Sequence, residues 1–256
     1  MSGPIKISAV IITFNESSNI GRCIEALLPV ADEILVVDSY STDNTQAICE
    51  QYKVRFVSHV FEGYAEQKNY GIALTNYAYV LSVDADEVLS DDLKKAILTI
   101  KKQALFDAYY LNRLTNFCGQ WIKHGDWYPD RKLRLFNKEK AQWGGGAVHE
   151  TLLLAVDATT QQLQGDLWHY SFTSIEQHIQ QINSFTTLAA KHLYEQGKTA
   201  SVYQLYLKPN VKFFWSYIVK LGFLDGYYGY VVCKNSAQAT FLKYAKLKRL
   251  CETTGS

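Results

Sequence analysis

The chain of 256 residues lacks several features, and each absence removes a class of function. Its five cysteines (Cys23, Cys49, Cys118, Cys233, Cys251) are odd in number and include no Cys-x-x-Cys pair. Free thiols in a reducing compartment are the reading, and a zinc site is argued against. Lysine plus arginine (26) almost cancel aspartate plus glutamate (25), so no whole-protein field favours nucleic acid. No uncharged apolar stretch reaches the length of a membrane span. Lys6 and Ser8 interrupt the first apolar segment, so a secretory signal is not expected. No Gly-x-Gly-x-x-Gly follows the first apolar run and no Gly-Lys-Ser/Thr loop occurs, which argues against a dinucleotide or P-loop phosphate cradle. Internal repeats and low-complexity linkers are missing too.

What is present is alternation. Ile7 to Thr13 reads as a buried strand, and Ser17 or Ser18 is placed to cap a helix running to about Leu28. Further strands are expected at 33–38, 54–58, 79–83 and 108–112, with helices to about Tyr52, from Ala65 to Asn76 and from about Ser90 to Gln103. This spacing predicts an α/β fold with a mostly parallel, doubly wound sheet. Ligands of such sheets bind beyond the carboxyl ends of the strands, where Asn15-Glu16, Asp38 and Asp84-x-Asp86 would gather. From about Phe117 to Tyr170 the pattern is irregular and contains Gly144-Gly145-Gly146. Helical periodicity returns over about 174–196 and 209–250, with a break at residues 221–226.

The run Tyr79-Val80-Leu81-Ser82-Val83 breaks into Asp84-Ala85-Asp86. Alternation along a strand would point both carboxylates the same way. Two converging carboxylates repel unless a cation or ligand hydroxyl lies between them, and hard divalent ions suit them. The alternative is that both aspartates end the strand and cap the next helix.

Four pieces, Thr13-Phe14-Asn15-Glu16, Asp38-Ser39-x-Ser41-Thr42-Asp43-x-Thr45, Gln67-Lys68-Asn69-x-Gly71 and Asp84-x-Asp86, together resemble the inverting family-two nucleotide-sugar glycosyltransferases, which have a GT-A fold. Within that family the chain looks most like the bacterial lipopolysaccharide-core β-glucosyltransferases, through Arg131 to Phe136, Val148-His149-Glu150 and an aromatic, basic C-terminal region. The resemblance implies a UDP-sugar donor, most readily UDP-glucose, a saccharide or glycolipid acceptor of the lipopolysaccharide core, Mg²⁺ or Mn²⁺ as cofactor, and a place at the cytoplasmic face of the inner membrane. It implies a catalytic domain over 1–172, with a nucleotide-sugar half to about 104 and an acceptor half from about 105, followed by a helical extension over 173–256.

Carried over by position, Asp38 would accept the uracil imide, while Thr13, Asn15, Glu16 and Lys68 would line the nucleotide. Asp84, Ala85 and Asp86 would meet ribose and metal, with Asp86 the first metal ligand, Asp84 the second and His169 a further one. Glu150 would be the general base, with Asp126 and Asp130 as substitutes. Arg131, Arg134, His149 and Trp143 would contact acceptor or diphosphate. Members of the family commonly carry glycine where Tyr40 stands. Structural uses compete with these roles: Asp38 as a turn former, Glu16 as a helix-start carboxylate, Lys68 as a solvated helix lysine, and Trp143 as core.

The C-terminal region interleaves Lys208, Lys212 and Lys220 with Phe213, Phe214, Trp215, Tyr217 and Phe223. That composition suits an interfacial helix on an anionic membrane, and equally a helix pair packed on the catalytic domain or in a homo-oligomer. A sugar nucleotidyltransferase or a non-catalytic nucleotide-sugar module would share the sheet, but the former opens with a glycine-rich basic loop.

Overall fold

A computed structural model describes residues 4–102, 106–146 and 149–254. The chain divides into two compact units, residues 1–113 with 131–170 and residues 114–130 with 171–256. The sequence drew a single boundary at residue 172, whereas the short segment 114–130 belongs with the C-terminal helices.

In the first unit, β1 (Ile7–Thr13) lies between β2 (Glu33–Asp38) and β4 (Tyr79–Asp84), and β3 (Arg55–Ser58) follows β2, all in parallel. Every residue of β1 is buried. This is what a strand covered by helices on both faces requires, and it explains the unbroken apolar run. Helices α1 (Ile20–Leu27), α2 (Thr45–Gln51) and α3 (Tyr64–Ala73) make the crossovers. After β5 (Glu87–Leu89) comes α4 (Asp91–Lys102), with Asp91 and Asp92 in its first turn and Lys101 and Lys102 in its last, the order the helix dipole favours. Ser90 Oγ accepts the Leu93 N–H at 3.3 Å, so Ser90 rather than Asp84 or Asp86 starts this helix. Gln103, where that helix was expected to end, lies outside the described residues.

The register places Thr13 beside Asp38 and Ile12 beside Asp84, so the three strand ends share one edge. Helix α3 is held against this sheet by Gly71. A Cβ there would meet Val10 Cγ1 at 2.6 Å and Val37 Cγ2 at 2.8 Å. The close approach sets the height of Lys68 one turn earlier.

Two expectations change. Ser17 and Ser18 do not cap α1; the Glu16 carbonyl accepts the Asn19 and Ile20 N–H groups, and Ser17 N–H bonds Asp43 Oδ2 at 3.0 Å. The stretch 117–170 is not irregular. Beyond β6 (Ala108–Phe117) it holds β7 (Gln120–Trp121), β8 (Asp130–Asn137), β9 (Ala141–Gly146), β10 (His149–Leu154) and β11 (Thr160–Phe172). Among the described residues the large sheet runs β3-β2-β1-β4-β8-β6-β11-β5, with β8 antiparallel to β4 and β5 antiparallel to β11. β9 and β10 form a separate antiparallel pair. The charged start of β8 and the glycines of β9 hide the alternation that marks a strand.

In the second unit, α5 (Ile175–Glu195) starts at Ser174, whose hydroxyl accepts the Gln177 N–H, as [ST]-x-x capping favours. A helical segment with α6 (Lys208–Phe214) at its centre and π-type turns on either side precedes α7 (Gly226–Thr254). The expected break falls at Leu221, where φ is 58°, and Gly226, where it is 60°. Asp225 accepts the Lys123 and His124 N–H groups at 2.9 and 2.8 Å and faces the His124 ring at 2.8 Å. These bonds tie 114–130 into this unit. Phe117, Trp127, Phe172 and His178 cluster in its interior, and burial lowers the His178 pKa to about 4.

Candidate active site

The base corner is built by two loops locked to each other. Both Asp38 oxygens accept from Ser41, Oδ2 from its N–H at 2.8 Å and Oδ1 from its hydroxyl. The Ser41 hydroxyl accepts the Asn15 N–H at 2.8 Å, and Asn15 Oδ1 accepts the Thr42 N–H at 2.8 Å. Glu16 N–H bonds Thr45 Oγ1 at 2.9 Å. Asp38 is 2% exposed, so it is a turn former whose remaining lone pairs are all it offers a ligand. Thr13 is buried and its hydroxyl has no partner among the described residues.

Tyr40 sits in this turn at φ 62° with its ring 58% exposed. A non-glycine residue in the left-handed region is strained by about 1–2 kcal/mol. A glycine there has no such strain, though it loses more chain entropy on folding. The Tyr40→Gly variant should therefore gain up to ~1 kcal/mol, read as a rise of ~2–4 °C in thermal melting. A lower melting temperature would mean that the exposed ring packs usefully.

The motif Gln67-Lys68-Asn69 ties three walls of the site together. Buried Gln67 donates to Ser39 Oγ at 3.1 Å and bonds the His59 ring at 2.9 Å. Asn69 pairs with both backbone groups of Trp143, at 2.8 and 3.0 Å. Lys68 is fully buried, which removes the solvated-lysine reading. Its ammonium lies 2.8 Å from Glu150 Oε1, 3.2 Å from Asp84 Oδ1 and 4.5 Å from the Trp143 ring. Trp143, 7% exposed, is the wall behind that ammonium and not a sugar-stacking surface.

Asp84 ends β4 and Asp86 lies in the turn that follows, so the two are not successive same-face residues of one strand. Asp84 turns to Lys68 and to Arg134, whose Nη2 is 2.9 Å from Asp84 Oδ2 and 2.7 Å from Glu87 Oε1. Burial alone would raise the Asp84 carboxyl, but Lys68 and then Arg134 outweigh it and hold it well below the usual carboxylate range. Arg134 is raised although burial opposes it, because Glu87 and Asp84 favour its charge. Arg134, expected at a diphosphate, is thus 4% exposed and holds two carboxylates. Arg131 is exposed at the start of β8. Ala85 packs into the core at 3% exposure, so its methyl is not a ligand contact.

Asp86 makes a different pair. Its Oδ2 lies 3.1 Å from His169 Nε2, and its carbonyl accepts the Tyr170 N–H at 2.9 Å. His169 is aligned with Glu87 across the β11–β5 pairing. Among the described residues no three His, Cys, Asp or Glu groups converge as a metal site. The fit therefore rests on the pair. Neighbouring ligands of an octahedral ion with bonds of about 2.1 Å are about 3.0 Å apart, and carboxylate with imidazole suits Mn²⁺ better than Mg²⁺. Asp86 and His169 fit a divalent ion that would take its other ligands from outside these two side chains. Asp84, with its oxygens toward Lys68 and Arg134, is a second-choice ligand. Glu16 stands nearby: burial raises its carboxyl, its bond from Asn19 opposes this, and the Asp86 charge raises it further.

Glu150, in β10, is aligned with Gly145 of β9 at φ 112°. β9 therefore presents no side chain directly across from Glu150. Of the two runner-up bases, Asp126 is held by Lys212 at 2.6 Å and Lys220 at 2.8 Å, and Asp130 begins β8. Val148 and the side chain of His149 lie outside what the structure describes.

Four residues, Glu87, Arg113, Ser41 and Tyr64, take roles that the sequence reading did not assign. Glu87, fully buried, takes Arg134 and the Asp84 N–H, and Arg113 lies 3.8 Å from it. Ser41 fills both faces of Asp38, a turn the Asp-x-x-Ser spacing encodes. Tyr64 has its hydroxyl raised by burial and then by the charges of Glu150, Asp84 and Asp86.

Residues 8–153 match Glycosyl transferase family 2, more than half of the chain. A protein of Rickettsia felis described as an uncharacterized glycosyltransferase is 34% identical over 95% of this chain and 89% of its own length. The lipopolysaccharide core biosynthesis glycosyltransferase LpsC of Rhizobium meliloti is 28% identical over 95% of this chain and 92% of its own. Among solved structures, glucosyl-3-phosphoglycerate synthase of Mycobacterium tuberculosis with Mn²⁺, UDP and glucosyl-3-phosphoglycerate is 17% identical, with a TM-score of 0.48 over 77% of this chain and 82% of that one. TarS 1–349 of S. aureus with UDP is 14% identical, with a TM-score of 0.46 over 98% and 92%. With a family match over most of the sheet and relatives aligned along nearly the whole length, the chain belongs to glycosyl transferase family 2: it is a sugar-transferring enzyme with an α/β fold of the GT-A type.

Proposed function

We propose that the enzyme transfers a sugar, glucose in the first place, from a UDP-sugar to a saccharide of the lipopolysaccharide core with inversion at the anomeric carbon. The observation that carries this reading is the single buried ammonium of Lys68, which bridges Glu150 to the Asp84 corner. It supports the reading of Glu150 as a base close to the Asp84 corner, where the donor's reacting end would lie, as a displacement needs. Glu150 takes the proton of the acceptor hydroxyl, that oxygen bonds to the anomeric carbon, and the bond to the diphosphate breaks with its electron pair on the leaving group. A divalent ion bound by Asp86 and His169 would supply charge neutralisation to the departing diphosphate. Lys68 orients Glu150 through Oε1 and leaves Oε2 for the acceptor. Asp38, Ser41 and Asn15 shape the uracil corner. The core-saccharide acceptor draws support from the similarity to LpsC, and the uridine assignment from the match of the Asp38 turn to the family pattern.

Thermal melting with a nucleotide panel and Mn²⁺ tests the donor half. UDP at ~100 times its Kd should raise the melting temperature by ~5–10 °C, above GDP, dTDP and CDP. The Mn²⁺-dependent part of that rise should vanish in Asp86→Ala and His169→Ala. Equal shifts for all four nucleotides would remove uridine, and a metal increment that survives both substitutions would move the ion elsewhere.

A further inference from the structure

Charge is distributed very unevenly along this chain. Residues 197–251 carry eight lysines and one arginine against a single acid, Asp225, while residues 1–196 carry seventeen bases against twenty-three acids. Asp225 is buried and engaged by its neighbours, so it offers nothing to offset the basic surface. The near-zero total conceals a strongly cationic stretch within the second unit.

The same unit exposes an apolar stripe. Tyr203, Leu207, Val211, Phe214 and Ile218 recur at spacings of four, four, three and four, one face of the helical segment centred on α6. They are 44–59% exposed, Phe214 the most and Ile218 the least, with Trp215 at 50% beside them. The opposite side carries Leu205 and Ser216, both buried. A soluble helix normally turns its apolar stripe inward, so an outward stripe of this length marks a contact surface.

The neighbouring charges decide what covers it. Lys212 and Lys220 both hold Asp126, leaving one surplus positive charge. Lys234 lies 5.7 Å over the Phe213 ring, next to the stripe. Lys248 and Arg249 are exposed further along α7. We propose that this face docks in the plane of an anionic lipid bilayer, with the stripe in the headgroup–acyl boundary and the lysines on the lipid phosphates. Aromatic and aliphatic anchors flanked by lysine, with no acid between them, match that occupant. A second copy of the chain would bring a like-charged surface, and protein interfaces are depleted in lysine. Among the described residues no helix is long and apolar enough to cross a membrane.

The proposal stands apart from the donor reading and is tested without turnover. The full chain is floated with vesicles of phosphatidylcholine alone and with ~30% phosphatidylglycerol, at low salt and in 0.5 M NaCl. Partition should be at least about tenfold greater on the anionic vesicles and should fall with salt. The combined substitution Leu207→Ser, Phe214→Ser and Ile218→Ser, all at exposed positions, should abolish flotation with the melting temperature unchanged. Lys234→Glu with Lys248→Glu should remove the preference for anionic lipid while keeping the fold. Absence of flotation, equal partition on both vesicles, or flotation that survives the apolar substitutions would overturn the proposal. So would a concentration-dependent dimer, seen by light scattering, that the same substitutions dissolve, since the stripe would then belong to a second copy.

Discussion

Replacing Glu150 by glutamine should lower kcat by ~10²–10⁴ while leaving UDP binding within about twofold of the parent. Glutamine keeps a carbonyl oxygen where Oε1 accepts from Lys68 at 2.8 Å, so the wall of the site should stay in place. What it loses is the ability to take a proton. The loss should therefore fall on kcat, with the nucleotide-induced rise in melting temperature retained. Glu150→Ala makes the useful contrast: it removes the acceptor as well as the base, leaves Lys68 with Asp84 alone, and should lower both turnover and stability. Persistent turnover in Glu150→Gln would end the assignment of Glu150 as base, and so would a loss shared equally between kcat and donor binding.

Much of the fold was legible because its physical signals are local. The wholly buried β1 reads as a continuous apolar run, α4 carries its acids first and its bases last, and α5 opens on a capping serine. The three carboxylate groups at the strand ends follow from the parallel topology alone. What stayed hidden depends on partners far away in sequence. Arg134 is fifty residues from Asp84, and only the antiparallel return of β8 beside β4 turns it from a candidate phosphate ligand into an internal counter-ion. Glu87 receives no role from the sequence, and only Arg134 and Arg113 in the folded chain give it one. The left-handed turn at Tyr40 is silent in the sequence, because only the backbone shows why glycine suits it. Strands β8 to β10 were missed since their charges and glycines break the two-residue period.

The second large effect should come from Lys68. Along one line the structure alternates sign: Glu150, Lys68, Asp84, Arg134, Glu87 and Arg113. Substituting methionine for Lys68 keeps the stem beside Trp143 but leaves Asp84 and Glu150 facing each other without the ammonium. Removing one partner of a buried pair costs about 3–5 kcal/mol. The carboxylate side chains retain 27% and 25% exposure, so ~2–4 kcal/mol is the expected loss, a fall of ~5–15 °C in melting. The sign of its pH dependence follows from Asp84. In the parent its carboxyl is held below the ordinary value of 3.8. It therefore adds stability above that value and gives it up as pH falls through the folded pKa. Without Lys68 the carboxyl rises, so the variant has less of this stability to lose on acidification. The gap between Lys68→Met and the parent should be widest at pH 7 and narrower at about pH 3, below the ordinary carboxylate value of 3.8, measured by parallel melts. Equal gaps at both pH values would mean that Lys68 acts by packing on Trp143 alone, and its link between Glu150 and the donor corner would lose its energetic basis.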